Sequence, residues 1–158
     1  MKSAETESIK LPKPRFDGII LAGNKSFIIK TAPLLAYYDH GPDRTFIFGN
    51  SQMTERHILN EPALNGAYFS SIPSTLKNDF SYKWKKTWGG EPPKFSALGY
   101  DVIKMITENS FNDEIVSYLT RKQGHKGFTG HFWLTKDGLN KRKVFVQRIE
   151  NGLAMEVF

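Results

Sequence analysis

Phe16-Asp17-Gly18-Ile19-Ile20-Leu21-Ala22-Gly23 is the stretch that decides how this chain reads. Its near-continuous apolar side chains predict a β-strand over residues 16–22, of the kind found in sheets covered on both faces. A helical pattern follows at once over 25–38, where Ile28, Ala32 and Leu35 recur at helical spacing. Pro33 lies inside that pattern and is expected to kink or break it, because proline lacks the backbone N–H. Thr45-Phe46-Ile47-Phe48 reads as a second strand and residues 66–71 as a third. This order predicts the later part of an α/β domain, whose ligand site lies where strands end.

Outward from there the chain stays well patterned. Residues 76–88 form a helix with Phe80, Trp84 and Trp88 four apart, a stripe expected to face the core. Residues 96–109 form another, with Leu98, Val102, Met105 and Ile106 as its buried face, and a shorter helix is expected over 112–122. The tail changes period. Strands are expected at 131–134, 143–149 and 153–157, with turns at Asp137-Gly138 and Asn151-Gly152. Residues 1–14 are polar, carry Pro12 and Pro14, and read as a flexible leader or linker. Residues 15–158 read as one α/β lobe: a three-layer sandwich with a mostly parallel sheet and antiparallel hairpins at the C-terminal end.

Composition narrows the function classes. At 158 residues, 39% hydrophobic and 13% aromatic, the chain has the material for a packed core. It has no cysteine, which excludes disulfides, thiolate catalysis and cysteine–metal sites. No run approaches the roughly 18 apolar residues of a membrane span, and Met1–Lys10 has no apolar core like that of a signal peptide. The net charge of +6 comes with three basic clusters. These are Lys83, Lys85 and Lys86; Arg121, Lys122 and Lys126; and Lys136, Lys141, Arg142 and Lys143. They read as solvated surface, since no nucleic-acid recognition pattern accompanies them.

Residues capable of chemistry do not converge in sequence. His40, His57, His125 and His131 follow no metal-ligand spacing and read as surface or loop residues. Gly23 lacks a dinucleotide fingerprint, and Gly124, Gly127 and Gly130 are spaced for turns rather than for a phosphate loop. Asp101 sits inside an apolar helix, where capping a nearby strand or loop is the favoured role. No enzymatic activity, metal or cofactor is expected. Binding groups do gather at two strand ends. Asn24 and Ser26 follow the first strand, and Asn50 and Ser51 follow the second, on the rim where open α/β sheets bind ligands. The same residues are equally suited to capping a helix and shaping a turn.

From Phe16 to Val157 the sequence resembles the second-lobe and C-terminal part of type I periplasmic binding proteins, the leucine/isoleucine/valine-binding-like receptors. The pieces fall in family order. Phe16 to Gly23, Thr45 to Asn50 and Gly66-Ala67-Tyr68-Phe69 look like successive family strands. Phe80 to Tyr82, Trp88-Gly89, Glu91-Pro92 and Gly99-Tyr100-Asp101-Val102 look like the family's F-x-x-x-[YW]…G-x-x-P…Y-D-A/V pattern. The tail, with Gly127-Phe128-Thr129-Gly130, Phe132, Asp137-Gly138, Arg142 and Val144 to Ile149, resembles that of penicillin-binding-protein activator lipoproteins (LppC/LpoA-like).

The resemblance implies one lobe of a two-lobe, exported protein, with a periplasmic-binding-protein-like fold and no catalysis. It implies a ligand wall of Asn24, Asn50 and the Pro93–Ser96 region, including Phe95 and Ser96. Such receptors place an acidic side chain near the position of Asn50, to pair with the ligand ammonium. A neutral Asn50 would weaken that contact by about 2 kcal/mol. The first expectation is therefore a periplasmic lipoprotein domain, outer-membrane anchored in its full form, that regulates a peptidoglycan synthase by contact. Lys136, Lys141, Arg142 and Lys143 are its candidate contacts. Any membrane attachment would be through a lipid anchor this sequence does not carry. The alternative is a solute-binding module of an ABC importer, with an ABC permease as partner and an amino acid or other small polar molecule as ligand.

Overall fold

A computed structural model describes residues 15–93, 95–108 and 114–157. The leader expected over 1–14 lies outside the described residues. In chain order the strands are β1 (Gly18–Leu21), β2 (Phe46–Gly49), β3 (Tyr68–Ser70), β4 (His125–Gly127), β5 (Gly130–Leu134), β6 (Asn140–Arg142), β7 (Val146–Glu150) and β8 (Leu153–Glu156). The α-helices are α1 (Lys25–Tyr37), α2 (Arg56–Leu59), α3 (Ser74–Trp88), α4 (Ser96–Thr107) and α5 (Ile115–Leu119). The chain has two compact units. The first runs to Phe69 and takes in Arg148–Met155; the second is Ser70–Gln147 with the residues from Glu156 onward. The chain thus passes between them three times.

The first unit is built on a sheet of order β1-β2-β3-β7-β8. β1 pairs parallel with β2, and β2 with β3. The parallel pairs arise because α1 and the short helical turns after β2 carry the chain back before the next strand begins. Leu21, Ile47, Phe69 and Ile149 point to one side. There they bury against Ile28 and Ala32 of α1, Ile58 of α2, and Met53 and Leu64 of two 3₁₀ turns. α1 runs on through Pro33, which lies on its exposed side.

The other side of this sheet departs from expectation. Ile20, Phe46 and Phe48 are exposed, so among the described residues β1 and β2 are covered on one face. The physical reason is the period of a strand. Alternate side chains go to opposite faces, so an all-apolar strand records two apolar faces without recording whether each has a partner. The sheet is mixed, with parallel strands β1 to β3, and the chain is an α/β sandwich with antiparallel C-terminal strands. β7 and β8 form the hairpin expected at Asn151-Gly152, whose φ values of 51° and 79° suit a two-residue turn that follows strand twist.

β3 and β7 meet through a bulge. The Gly66 N–H donates to the Ile149 carbonyl at 2.7 Å, and the Ile149 N–H donates to the Ala67 carbonyl at 2.9 Å. Two residues therefore oppose one. Gly66 has φ 99°, and a Cβ there would stand 3.2 Å from Pro42 Cβ. Gly66→Ala should destabilise the first unit by about 1–3 kcal/mol, read as a lower urea midpoint at unchanged m-value.

The second unit joins three helices to an antiparallel sheet of order β4-β5-β6. Phe80 is buried against the rings of Phe128 and Tyr100, at 5.3 and 5.9 Å between centroids. Trp84 and Trp88 continue the stripe ring upon ring, but Trp88 is exposed, so only the first turn of the stripe is core. On α4 the buried residues are Asp101 and Met105, while Leu98 and Val102 are exposed. The helix is turned toward its carboxylate. Asp101 Oδ1 accepts from the Phe128 N–H at 2.9 Å, and Oδ2 from the Thr129 N–H and hydroxyl at 2.7 and 2.6 Å. Three donors aimed at one carboxylate outweigh the apolar face that periodicity selects.

Two further expectations change. The strand expected over 143–149 begins only at Val146, as β7, and β6 over Asn140–Arg142 is a strand the sequence pattern did not predict. His125 is buried rather than a surface residue, its ring stacked on Phe132 and its Nε2 2.9 Å from the Leu119 carbonyl oxygen. The helix expected over 112–122 is present as α5, with residues 109–113 outside the described residues.

Candidate functional site

β1 and β2 run side by side, with Leu21 opposite Gly49, so their carboxyl ends share one rim. Asn24 and Asn50 both emerge there. The Asn50 Nδ2 donates to the Gly23 carbonyl at 2.9 Å, and its Oδ1 accepts from the Gln52 N–H at 3.0 Å. One side chain thereby ties the two strand ends together and caps the 3₁₀ turn Ser51–Thr54. Asn24 caps α1, its Oδ1 accepting from the Phe27 N–H at 2.9 Å. The carbonyl end of Asn24 is thus spent on the helix, and its amide NH₂ is the donor it brings to the rim. Ser26 and Ser51 are exposed beside the two asparagines.

Glycine makes the rim tight. A Cβ on Gly23 would fall within the Phe27 ring, and one on Gly49 would fall within the Met53 side chain. Both strand ends therefore accept a side chain folding back from the turn that follows. The two residues leaving the strand ends are neutral amides, so the rim is built for hydrogen bonding rather than for pairing with a cation.

The other ligand-wall candidates, Phe95 and Ser96, belong to the second unit. Phe95 is exposed at the start of α4, and the Ser96 hydroxyl donates to the Pro93 carbonyl at 2.7 Å. A cavity of about 200 Å³ lies nearby in the same unit, between Ile72, Phe80, Pro92, Pro93, Ala97 and Phe128. Sequence reading did not find it. Its signal was Phe80 on the helix before Pro92-Pro93, a pattern also met by simple packing.

The basic candidates occupy the β5–β6 hairpin and do not form one uniform patch. Lys136 and Lys141 are exposed. Arg142 is exposed too, and it also braces the fold, its Nη1 donating to the Thr129 carbonyl at 3.0 Å and its guanidinium lying 5.5 Å from the Phe132 ring centre. The Lys143 ammonium lies 5.1 Å from that of Phe145. At the hairpin tip the Thr135 hydroxyl, then a backbone N–H, then Lys141 hold the Asp137 carboxyl below the usual carboxylate range. A fixed negative charge thus sits among the lysines. Among the described residues no group of three or more His, Asp and Glu side chains could hold a metal ion, and no helix is long and apolar enough to cross a membrane.

The geometry is that of a periplasmic-binding-protein-like fold, and solved structures share it. Leucine-binding protein LivK from Thermotoga maritima is 18% identical with a TM-score of 0.59, over 90% of this chain and 44% of its own. A branched-chain amino acid ABC transporter protein from Rhodospirillum rubrum is 17% identical with a TM-score of 0.68, over 89% and 44%. The C-domain of LpoA from Haemophilus influenzae, described as a regulator of PBP1A, is 17% identical with a TM-score of 0.59, over 90% and 45%. The chain spans less than half the length of these three structures. At such identities the likeness is one of fold. No family model and no curated protein matches the sequence.

Proposed function

We propose that this chain supplies a solute-binding surface of a periplasmic, non-catalytic receptor working with an ABC importer. The observation that carries this reading is the shared rim of Asn24 and Asn50, at the carboxyl ends of two parallel strands. The neutral amides favour an amino acid or other small molecule held through polar, uncharged groups. L-leucine, L-glutamine and glycerol make a suitable panel for thermal-shift and calorimetric titration. The expected result is a raised melting temperature with L-glutamine, and an affinity about tenfold weaker in Asn24→Ala, the loss of one hydrogen bond. No shift with any of the three at millimolar concentration, or an unchanged affinity in Asn24→Ala, overturns the reading.

The likeness to LpoA supports a second reading, regulation of a peptidoglycan synthase by contact. Its surface would be the exposed Lys136 and Lys141, and its full form would be anchored by lipid. Arg142 must stay in place, since it holds Thr129. Lys136→Glu with Lys141→Glu should weaken synthase binding at least fivefold at 0.15 M salt and leave melting unchanged, because exposed charges contribute little to stability. An unchanged affinity rejects that surface.

A further inference from the structure

We infer that the chain pairs with a second copy of itself edge to edge, strand β8 against strand β8, about a two-fold axis at Met155. β8 is the end strand of the five-stranded sheet, and among the described residues β7 is the strand it pairs with. That pairing fixes which backbone groups are left over. The Asn151-Gly152 turn sets Glu150 opposite Leu153, and the Val157 N–H donates to the Val146 carbonyl at 2.9 Å. In an antiparallel ladder, hydrogen-bonded and non-hydrogen-bonded pairs alternate. Leu153, Met155 and Val157 therefore turn their backbone groups toward β7, while Ala154 and Glu156 turn theirs to the outer edge. The side chains follow the same division. Ala154 lies opposite the buried Ile149 and packs against the core. Leu153, Met155 and Val157 stand on the other side, 63%, 46% and 40% exposed.

The edge selects its own copy as partner because it complements itself. With the axis at Met155, Ala154 of each copy exchanges both backbone hydrogen bonds with Glu156 of the other, and every outward group of the strand is satisfied. Leu153 then faces Val157 of the other copy, and Met155 faces Met155, so apolar meets apolar along the whole row. Charge picks the register. Glu156 comes opposite Ala154, whereas an axis at Glu156 would set two carboxylates face to face. An axis at Ala154 would leave Glu156 opposite Gly152 in the turn. Edges that proteins keep single are guarded by lysine or proline, and Leu153-Ala154-Met155-Glu156 has neither. Two identical strands paired antiparallel close on themselves, so the association stops at a dimer.

The chain has no cysteine, so a single introduced one reports the contact. Met155→Cys places two sulfurs across a non-hydrogen-bonded pair, with Cα atoms about 4.5 Å apart, inside the span of a disulfide. Mild oxidation should link this variant into a dimer about tenfold faster than Lys136→Cys, whose side chain is exposed on the β5–β6 hairpin. Equal rates overturn the proposal. Sedimentation equilibrium of the unmodified chain over roughly 10 µM to 1 mM should show monomer and dimer, and monomer throughout overturns it. Met155→Asp should weaken the dimer about tenfold by setting like charges opposite each other. Glu156→Pro should do the same by removing an outward N–H, a loss that leaves the bonds to β7 in place. The circular dichroism of Met155→Asp should match that of the parent chain. A dimer that survives Met155→Asp, or assembly beyond two copies, also overturns the proposal.

Discussion

Asp101→Ala is expected to lower the stability of the second unit by about 3–5 kcal/mol. The carboxylate is 3% exposed and accepts three hydrogen bonds, two from backbone N–H groups and one from the Thr129 hydroxyl. Alanine removes every acceptor and leaves those donors without a partner. Each then carries a desolvation cost of about 1–3 kcal/mol, partly recovered by water entering the space. Asp101→Asn retains one carbonyl oxygen and should lose about half as much. Hydrogen exchange should show the Phe128 and Thr129 amides losing protection first. A carboxylate doing nothing would leave both amides as slow as before. Gly127 gives an internal control, because a Cβ there would fall within the Asp101 carboxylate. Gly127→Ala should therefore be costly with Asp101 in place and cost much less beside Asp101→Ala, a non-additivity that a double-mutant cycle measures.

Phe69→Ala should cost the first unit about 3–5 kcal/mol. Phe69 is 1% exposed, on the middle strand of the five, and packs into the cluster of Leu21, Ile28, Ile47, Ile58 and Ile149. Removing the ring leaves a cavity walled by strands and helices that cannot close over it. A domain is stable by only about 5–15 kcal/mol, so this one change uses a large share. The informative comparison is Phe48→Ala on the opposite face, which should move the stability of the chain by less than about 1 kcal/mol. Urea denaturation of the two variants reads the difference directly. Equal losses would mean that the exposed face is packed in solution.

Much of this architecture was legible. The strand at 16–22, the helix after it, the parallel run of three strands and the hairpin at Asn151-Gly152 each follow from local pattern. The placement of Asn24 and Asn50 on one rim follows from two parallel strands of matched length. What misled the reading was the choice of face. Trp88 continues the stripe of Phe80 and Trp84 at four-residue spacing yet lies in solvent, because α3 extends beyond the rings that bury Phe80. Leu98 and Val102 have the right period, but α4 turns its Asp101 inward to donors 27 and 28 residues away in sequence. No window along the chain contains both halves of that interaction. The bonds of Arg142 to the Thr129 carbonyl and the Phe132 ring were likewise invisible in sequence, since they join residues ten and more positions apart.

By itself the sequence determined where most strands and helices form, how the turns at Asp137-Gly138 and Asn151-Gly152 are made and that two asparagines leave neighbouring strand ends, since these depend on side chains a few positions apart. Tertiary structure alone decided which apolar face is covered, which charged residue is structural and how the chain divides into two units. Those outcomes depend on contacts between distant segments, and hydrophobic periodicity carries the same signal whether or not a partner is there to meet it.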